Sequence, residues 1–171
     1  MGNLLLIGAR GSGKTAVGRC AADLLGGAWR FVEMDEALVE RLGMPIAAFF
    51  VAQGEEAFRR EERALLEEIG RGERQVVACG GGVAGTPESL AAACAAGTPV
   101  WLEAPVPELI ARRLADPGEG GRPALLASLS DLKAKDLEGY LRVEVPTILA
   151  RRQACYAGAD FIIHTAGLGV E

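Results

Sequence analysis

Histidine occurs once in the 171 residues, lysine only three times, and a Cys-x-x-Cys pair not at all. The four cysteines, Cys20, Cys79, Cys94 and Cys155, are scattered. That spacing argues against a zinc or disulfide framework and reads as reduced core thiols. Basic charge is also in deficit. With 18 Lys and Arg against 23 Asp and Glu, the formal net charge is −5, so no broad attraction to nucleic acid or an anionic membrane surface is expected. The first apolar run, Leu4–Ile7, is too short for a membrane span or signal core and has no basic flank. A cytoplasmic location is therefore expected. No internal repeat and no Asn-Lys-x-Asp guanine-reading signature occurs. The single histidine, His164, ends a predicted strand and reads as structural.

Half of the residues are hydrophobic, enough for one globular domain over 1–171 with a full core. Short apolar runs predict strands at Asn3–Ile7, Arg30–Glu33, Gln75–Cys79, Val100–Glu103 and Phe161–His164. They alternate with helical patterns at Thr15–Leu25, Asp35–Leu42, Ile46–Ala52, Glu55–Ile69, Pro87–Ala96 and Pro107–Leu114. Strands apolar on both sides, separated by helices, indicate an α/β protein whose parallel sheet is covered on both faces. Leu132–Ala157 is mostly helical, with Pro146 expected to break or kink it. Between helices lies Ala115–Asp131, where Gly118, Gly120 and Gly121 precede Arg122. It reads either as a slack connection or as a segment that opens and closes.

The sharpest motif is "GARGSGKT" at 8–15, directly after the first strand and opening a helix. Gly8, Gly13, Lys14 and Thr15 satisfy the phosphate-loop pattern. Glycines let successive N–H groups close around a polyphosphate, and the helix start adds its positive end. Lys14 then neutralises β- and γ-phosphate oxygens, while the Thr15 hydroxyl joins a Mg2+ shell. Such a loop serves small-acceptor kinases as well as NTPase switches. Four further stretches favour a small acceptor, because they lie near predicted strand ends, where open α/β sheets bind ligands. "FVEMDE" places Glu33 and Asp35 two residues apart, suited to metal and hydroxyl, or to a surface acid and a helix N-cap. "GEEAFRREE" offers Arg59, although Glu55–Arg59 and Glu56–Arg60 are also ordinary i,i+4 pairs. Gly80, Gly81 and Gly82 follow a strand without pause, and three glycines allow close approach of backbone N–H groups. Arg151 and Arg152 sit on a late helix, where simple solvation is the alternative.

Taken in order, "GARGSGKTAVGR", "FVEMDE", "GEEAFRREE", "VVACGGGV", "VWLEA", "GRPALL" and "RRQACYAGAD" resemble shikimate kinase over essentially the whole chain. The resemblance implies transfer of the ATP γ-phosphoryl group to the 3-hydroxyl of shikimate, in chorismate synthesis. It implies the three-layer α/β/α P-loop kinase fold, with a five-stranded parallel sheet and a mobile lid near residues 115–131. ATP would contact Gly11, Ser12, Gly13, Lys14, Thr15 and Ala16. Arg113 would lie against adenine, with Arg112 as a close competitor, and Arg122 would close on the phosphates from the lid. Asp35 would be the base; Lys14 and Arg122 complete the catalytic set. Arg59 and Arg152 would hold the shikimate carboxylate, with Gly80, Gly81 and Gly82 as backbone contacts. Thr15 and Glu33 would serve Mg2+, and family precedent implies a monomer.

Three departures from the family pattern stand out. Glu33 occupies the place of a usual aspartate, and Ala154 that of a common proline two residues after Arg152. The chain ends at Glu171, seven residues after His164, where the family commonly continues with an adenine-contacting loop and a last helix. Two other readings remain: a gluconate-kinase-like enzyme, and a nucleotide-binding regulator without acceptor chemistry.

Overall fold

The computed structural model describes residues 2–168. The strands are β1 (Leu4–Ile7), β2 (Arg30–Glu33), β3 (Gln75–Ala78), β4 (Thr98–Glu103) and β5 (Phe161–His164). The helices are α1 (Lys14–Leu25), α2 (Met34–Leu42), α3 (Ile46–Gly70), α4 (Pro87–Ala96), α5 (Val106–Leu114), α6 (Ser130–Lys135) and α7 (Leu137–Tyr156). All strand pairings are parallel, in the order β2-β3-β1-β4-β5. The sheet is thus the α/β architecture expected.

Alternation along β1 sets the layers. Leu5 and Ile7 join a core with Met34, Leu38, Phe58, Leu66, Trp101 and Tyr156. Leu6 faces the opposite way, toward Ala22, Val76, Val100 and Leu102. A third cluster, around Leu109, Tyr140, Leu141 and Val145, joins α5 to α7. Each fully buried aliphatic side chain here stabilises by about 1.5–3 kcal/mol. Coverage fails at β5, where Phe161, Ile162 and Ile163 are all exposed. Of the cysteines, all four are free but only Cys79 is buried; Cys94 is exposed.

Local departures from the sequence reading have identifiable causes. β4 begins at Thr98 despite Pro99. Thr98 donates to Asn3 of the β1 side, so the Pro99 nitrogen points to the other edge, where β5 begins only opposite Val100. α7 runs unbroken through Pro146. That proline and Arg142, whose carbonyl it leaves without a helical donor, are both exposed, so water replaces the lost bond. The Ile46–Gly70 run holds two helical segments, as expected, separated at Gly54 (φ 80°, ψ 173°). Residues 115–131 are not slack: they contain short 3₁₀ turns at Glu119–Gly121 and Ala127–Leu129. None of Gly118, Gly120 or Gly121 adopts a positive φ.

Candidate active site

The carboxyl ends of β1, β3 and β2 place three loops side by side. From β1 the chain enters the glycine loop, with positive φ at Gly8 (136°), Gly11 (87°) and Gly13 (96°). A Cβ at Gly8 would lie 2.7 Å from the Leu102 carbonyl oxygen, so β4 leaves room only for hydrogen. Gly13 precedes the first turn of α1, which starts at Lys14 with Thr15 and Ala16 exposed beside it. Ser12 is buried, its hydroxyl without a protein partner. Lys14 Nζ donates to the carbonyls of Gly8 (3.1 Å) and Ala9 (2.9 Å). Burial brings its ammonium down to about 8, against the opposing charge of Asp35. A phosphate would reverse that pressure.

Thr15 and Glu33 meet, the hydroxyl donating to a carboxylate oxygen at 2.7 Å. Desolvation raises the Glu33 carboxyl above its ordinary range, moderated by that bond. Two hard oxygen ligands at the edge of the phosphate loop fit Mg2+. Asp35 lies one residue further into α2 than the sequence reading placed it. Glu33 is the N-cap, and Asp35 stands exposed in the first helical turn, where its charge complements the helix dipole. Its carboxylate reaches the β3 loop: a Cβ at Gly80 would lie 2.8 Å from Asp35 Oδ1.

The decisive convergence is between residues distant in sequence. Arg59 from α3 and Arg152 from α7 line one cavity of about 500 Å³, together with Glu62, Gly82, Gly85 and Thr86. A Cβ at Gly82 would lie 2.3 Å from an Arg59 guanidinium nitrogen, so the guanidinium in this position lies directly over the Gly82 backbone. The i,i+4 pairs exist, Glu55–Arg59 at 3.2 Å and Glu56–Arg60 at 3.1 Å, without preventing Arg59 from facing the cavity. A partner that the sequence reading left unassigned holds it there. Arg59 donates to the nearly buried Glu62 at 2.7 Å. Burial raises the Glu62 carboxyl while the Arg59 charge opposes. Arg152 donates to the Gly81 carbonyl at 2.6 Å. The N–H groups of Gly80, Gly81 and Gly82 donate to no acceptor among the described residues. They are free for a ligand.

Arg113, expected against adenine, is placed otherwise. Its stem packs on Gly11, but its guanidinium is buried between Glu119, at 2.7 Å, and Glu144. Glu119 is also approached by Arg10 (3.5 Å), Lys133 (3.7 Å) and Arg122 (3.5 Å). Two buried carboxylates thus outcompete any role for Arg113 on an open face. Arg112 instead lies along the phosphate loop, reaching the carbonyls of Gly11, Ser12 and Thr165. Arg122 is half-exposed and paired with Asp116 at 3.0 Å. His164 lies exposed against Glu103 at the ends of β4 and β5.

A family model described as shikimate kinase matches residues 10–167. The chain belongs to the shikimate kinase family. A family relative, shikimate kinase from Synechococcus sp. (strain RCC307), is 36% identical over 169 residues, covering 99% of this chain and 78% of its own. Shikimate kinase from Symbiobacterium thermophilum is 40% identical over 160 residues, 94% of this chain and 84% of its own. Among solved structures, shikimate kinase from Acinetobacter baumannii in complex with shikimate superposes with a TM-score of 0.80. It is 29% identical and covers 99% of this chain and 86% of its own. Among the described residues no helix is long and apolar enough to cross a membrane.

Proposed function

We propose that this chain transfers the γ-phosphoryl group of ATP to the 3-hydroxyl of shikimate, releasing shikimate 3-phosphate and ADP. The observation that carries the reading is the cavity shared by Arg59, Arg152 and Gly82, whose Glu62 meets Asp35 across Gly80. Shikimate is a small cyclic acid with three hydroxyls. Two guanidinium forks suit its carboxylate, and a carboxylate with backbone donors suits its hydroxyls.

Phosphoryl transfer asks chiefly for in-line placement and neutralised charge. The N–H groups of residues 11–16 surround the phosphates, and Lys14 exchanges its carbonyl partners for phosphate oxygens. Thr15 and Glu33 would hold Mg2+, which would supply positive charge to the phosphates. Asp35 accepts the proton of the attacking hydroxyl. Glu62 keeps Arg59 extended along the cavity wall. Arg122 leaves Asp116 and Glu119 as residues 115–131 close, adding positive charge and excluding water. Arg113 secures the root of that lid, and Arg112 is the arginine left to flank the nucleotide. We read the enzyme as a cytoplasmic monomer acting without nucleic acid or membrane, in line with its acidic charge and free thiols.

The test is coupled ADP release over shikimate, quinate, gluconate and nucleoside monophosphates, with ATP and Mg2+. Shikimate-dependent release alone supports the proposal. Gluconate-dependent release would move the acceptor assignment, and ATP binding without acceptor-dependent release would favour a regulator.

A further inference from the structure

Arg152 and Tyr156 stand four residues apart on α7 and therefore share one face of the helix. Both end on the same atom. Arg152 donates to the Gly81 carbonyl oxygen at 2.6 Å and the Tyr156 hydroxyl at 2.8 Å, which uses both lone pairs. A carbonyl held from two directions fixes the plane of its peptide. The other edge of that peptide is the Gly82 N–H, which has no partner among the described residues and belongs to the wall of the Arg59–Arg152 cavity. Glycine on both sides of the peptide bond gives this unit no side-chain restraint of its own. Its orientation has to come from outside.

Tyr156 is well placed to supply it. The side chain is fully buried, and burial raises the phenol, so the hydroxyl remains a donor. Its ring packs on Trp101, with centroids 5.8 Å apart. Trp101 in turn underlies the phosphate loop, since a Cβ at Gly8 would lie 3.2 Å from its Cδ1. One rigid ring thus ties the glycine loop to the floor of the nucleotide cradle. We infer that Tyr156 is a positioning residue for the acceptor: with Arg152 it orients the Gly81–Gly82 peptide so that the Gly82 N–H is presented to the bound acid. This inference rests on the acceptor site proposed above.

Tyr156→Phe removes one oxygen and keeps the ring against Trp101. The KM for shikimate should rise about five- to twentyfold, the loss of one buried hydrogen bond. The KM for ATP should stay within about twofold, and the melting temperature should fall by no more than about 6 °C. Amide resonances of Gly81 and Gly82 should shift, and the Gly82 amide should exchange faster, in the substrate-free protein. An unchanged shikimate KM overturns the inference, as does a parallel rise in both KM values, which would signal general loosening. If the parent enzyme proves inactive on shikimate, the acceptor proposal has failed instead. The substrate-free amide measurement then decides alone: unmoved Gly81 and Gly82 signals refute the peptide-orienting role.

Discussion

Glu144→Gln tests how the lid is rooted. The Glu144 carboxylate is fully buried, accepts from Arg113 and from the Tyr140 hydroxyl at 2.6 Å, and takes the Leu125 N–H at 3.3 Å. Arg113 itself is only 3% exposed. The amide keeps the shape but removes the charge and turns a donor toward Arg113. Arg113 keeps its second buried carboxylate, Glu119 at 2.7 Å, so the loss is that of buried donors left without an acceptor, about 1–3 kcal/mol. At roughly 2–4 °C per kcal/mol for a chain of this size, the melting temperature should fall by about 2–12 °C. Urea denaturation should show a lower midpoint at an unchanged slope. Acidity supplies the second reading. Burial alone would raise the Glu144 carboxyl, yet hydrogen bonds from Arg113 and Tyr140 and the Arg113 charge hold it below its ordinary value of 4.5. A depressed carboxyl contributes stability that is complete above the unfolded pKa and is lost as pH falls through the folded one. The gap between parent and variant should therefore be full at pH 7 and narrow only below about 4.5. A cost under about 1 kcal/mol at pH 7, or a gap indifferent to acid, would refute this account of the cluster.

Arg59→Ala and Arg152→Ala should each raise the shikimate KM by about 30- to 1000-fold in steady-state kinetics, with ATP affinity by calorimetry nearly unchanged; an unaltered KM would reject their carboxylate role. Asp35→Asn should lower kcat by about 10²–10⁴-fold. Because Asp35 is exposed, the melting curve should stay in place, and near-normal turnover would remove it as base. Lys14→Ala should cut turnover by at least about 10²–10³-fold. It should also cost about 1–2 kcal/mol of stability in denaturant titration, since Lys14 bonds to the carbonyls of its own loop; full stability would show those bonds to be idle.

The parts of the site legible in the sequence are those whose chemistry is local. The phosphate loop needs neighbouring glycines, a lysine and a hydroxyl in one turn, so eight consecutive residues specify it. The triple glycine is similar as a run in the sequence, while the Asp35 and Arg59 side-chain ends that lie over Gly80 and Gly82 come from other elements. The strands were found because buried parallel strands are apolar without interruption. Pro146 does not end α7 although it lacks the donor a helix interior uses, and Pro99 sits within β4. Whether that donor is needed depends on which edge or face it points to, which only the assembled sheet and helix decide.

Arg113 shows where local reading stops. Two adjacent arginines, Arg112 and Arg113, close one amphipathic helix; Arg113 stands at i+4 from the buried Leu109, but an apolar pattern does not foretell a buried arginine at that place. The choice is made by carboxylates elsewhere in the chain. Glu119 lies across a turn and Glu144 on α7, and burying either one unpaired would cost more than α5 could repay. Arg113 is therefore drawn into the core, and Arg112 is left to follow the phosphate-loop carbonyls. Glu62 and Tyr156 carried a fainter signal, at i+3 from Arg59 and i+4 from Arg152. On a solvated helix such spacings mean little. They acquire consequence here because the arginines they accompany face a cavity rather than water, so each partner sets the direction of a charge that a small acid would meet.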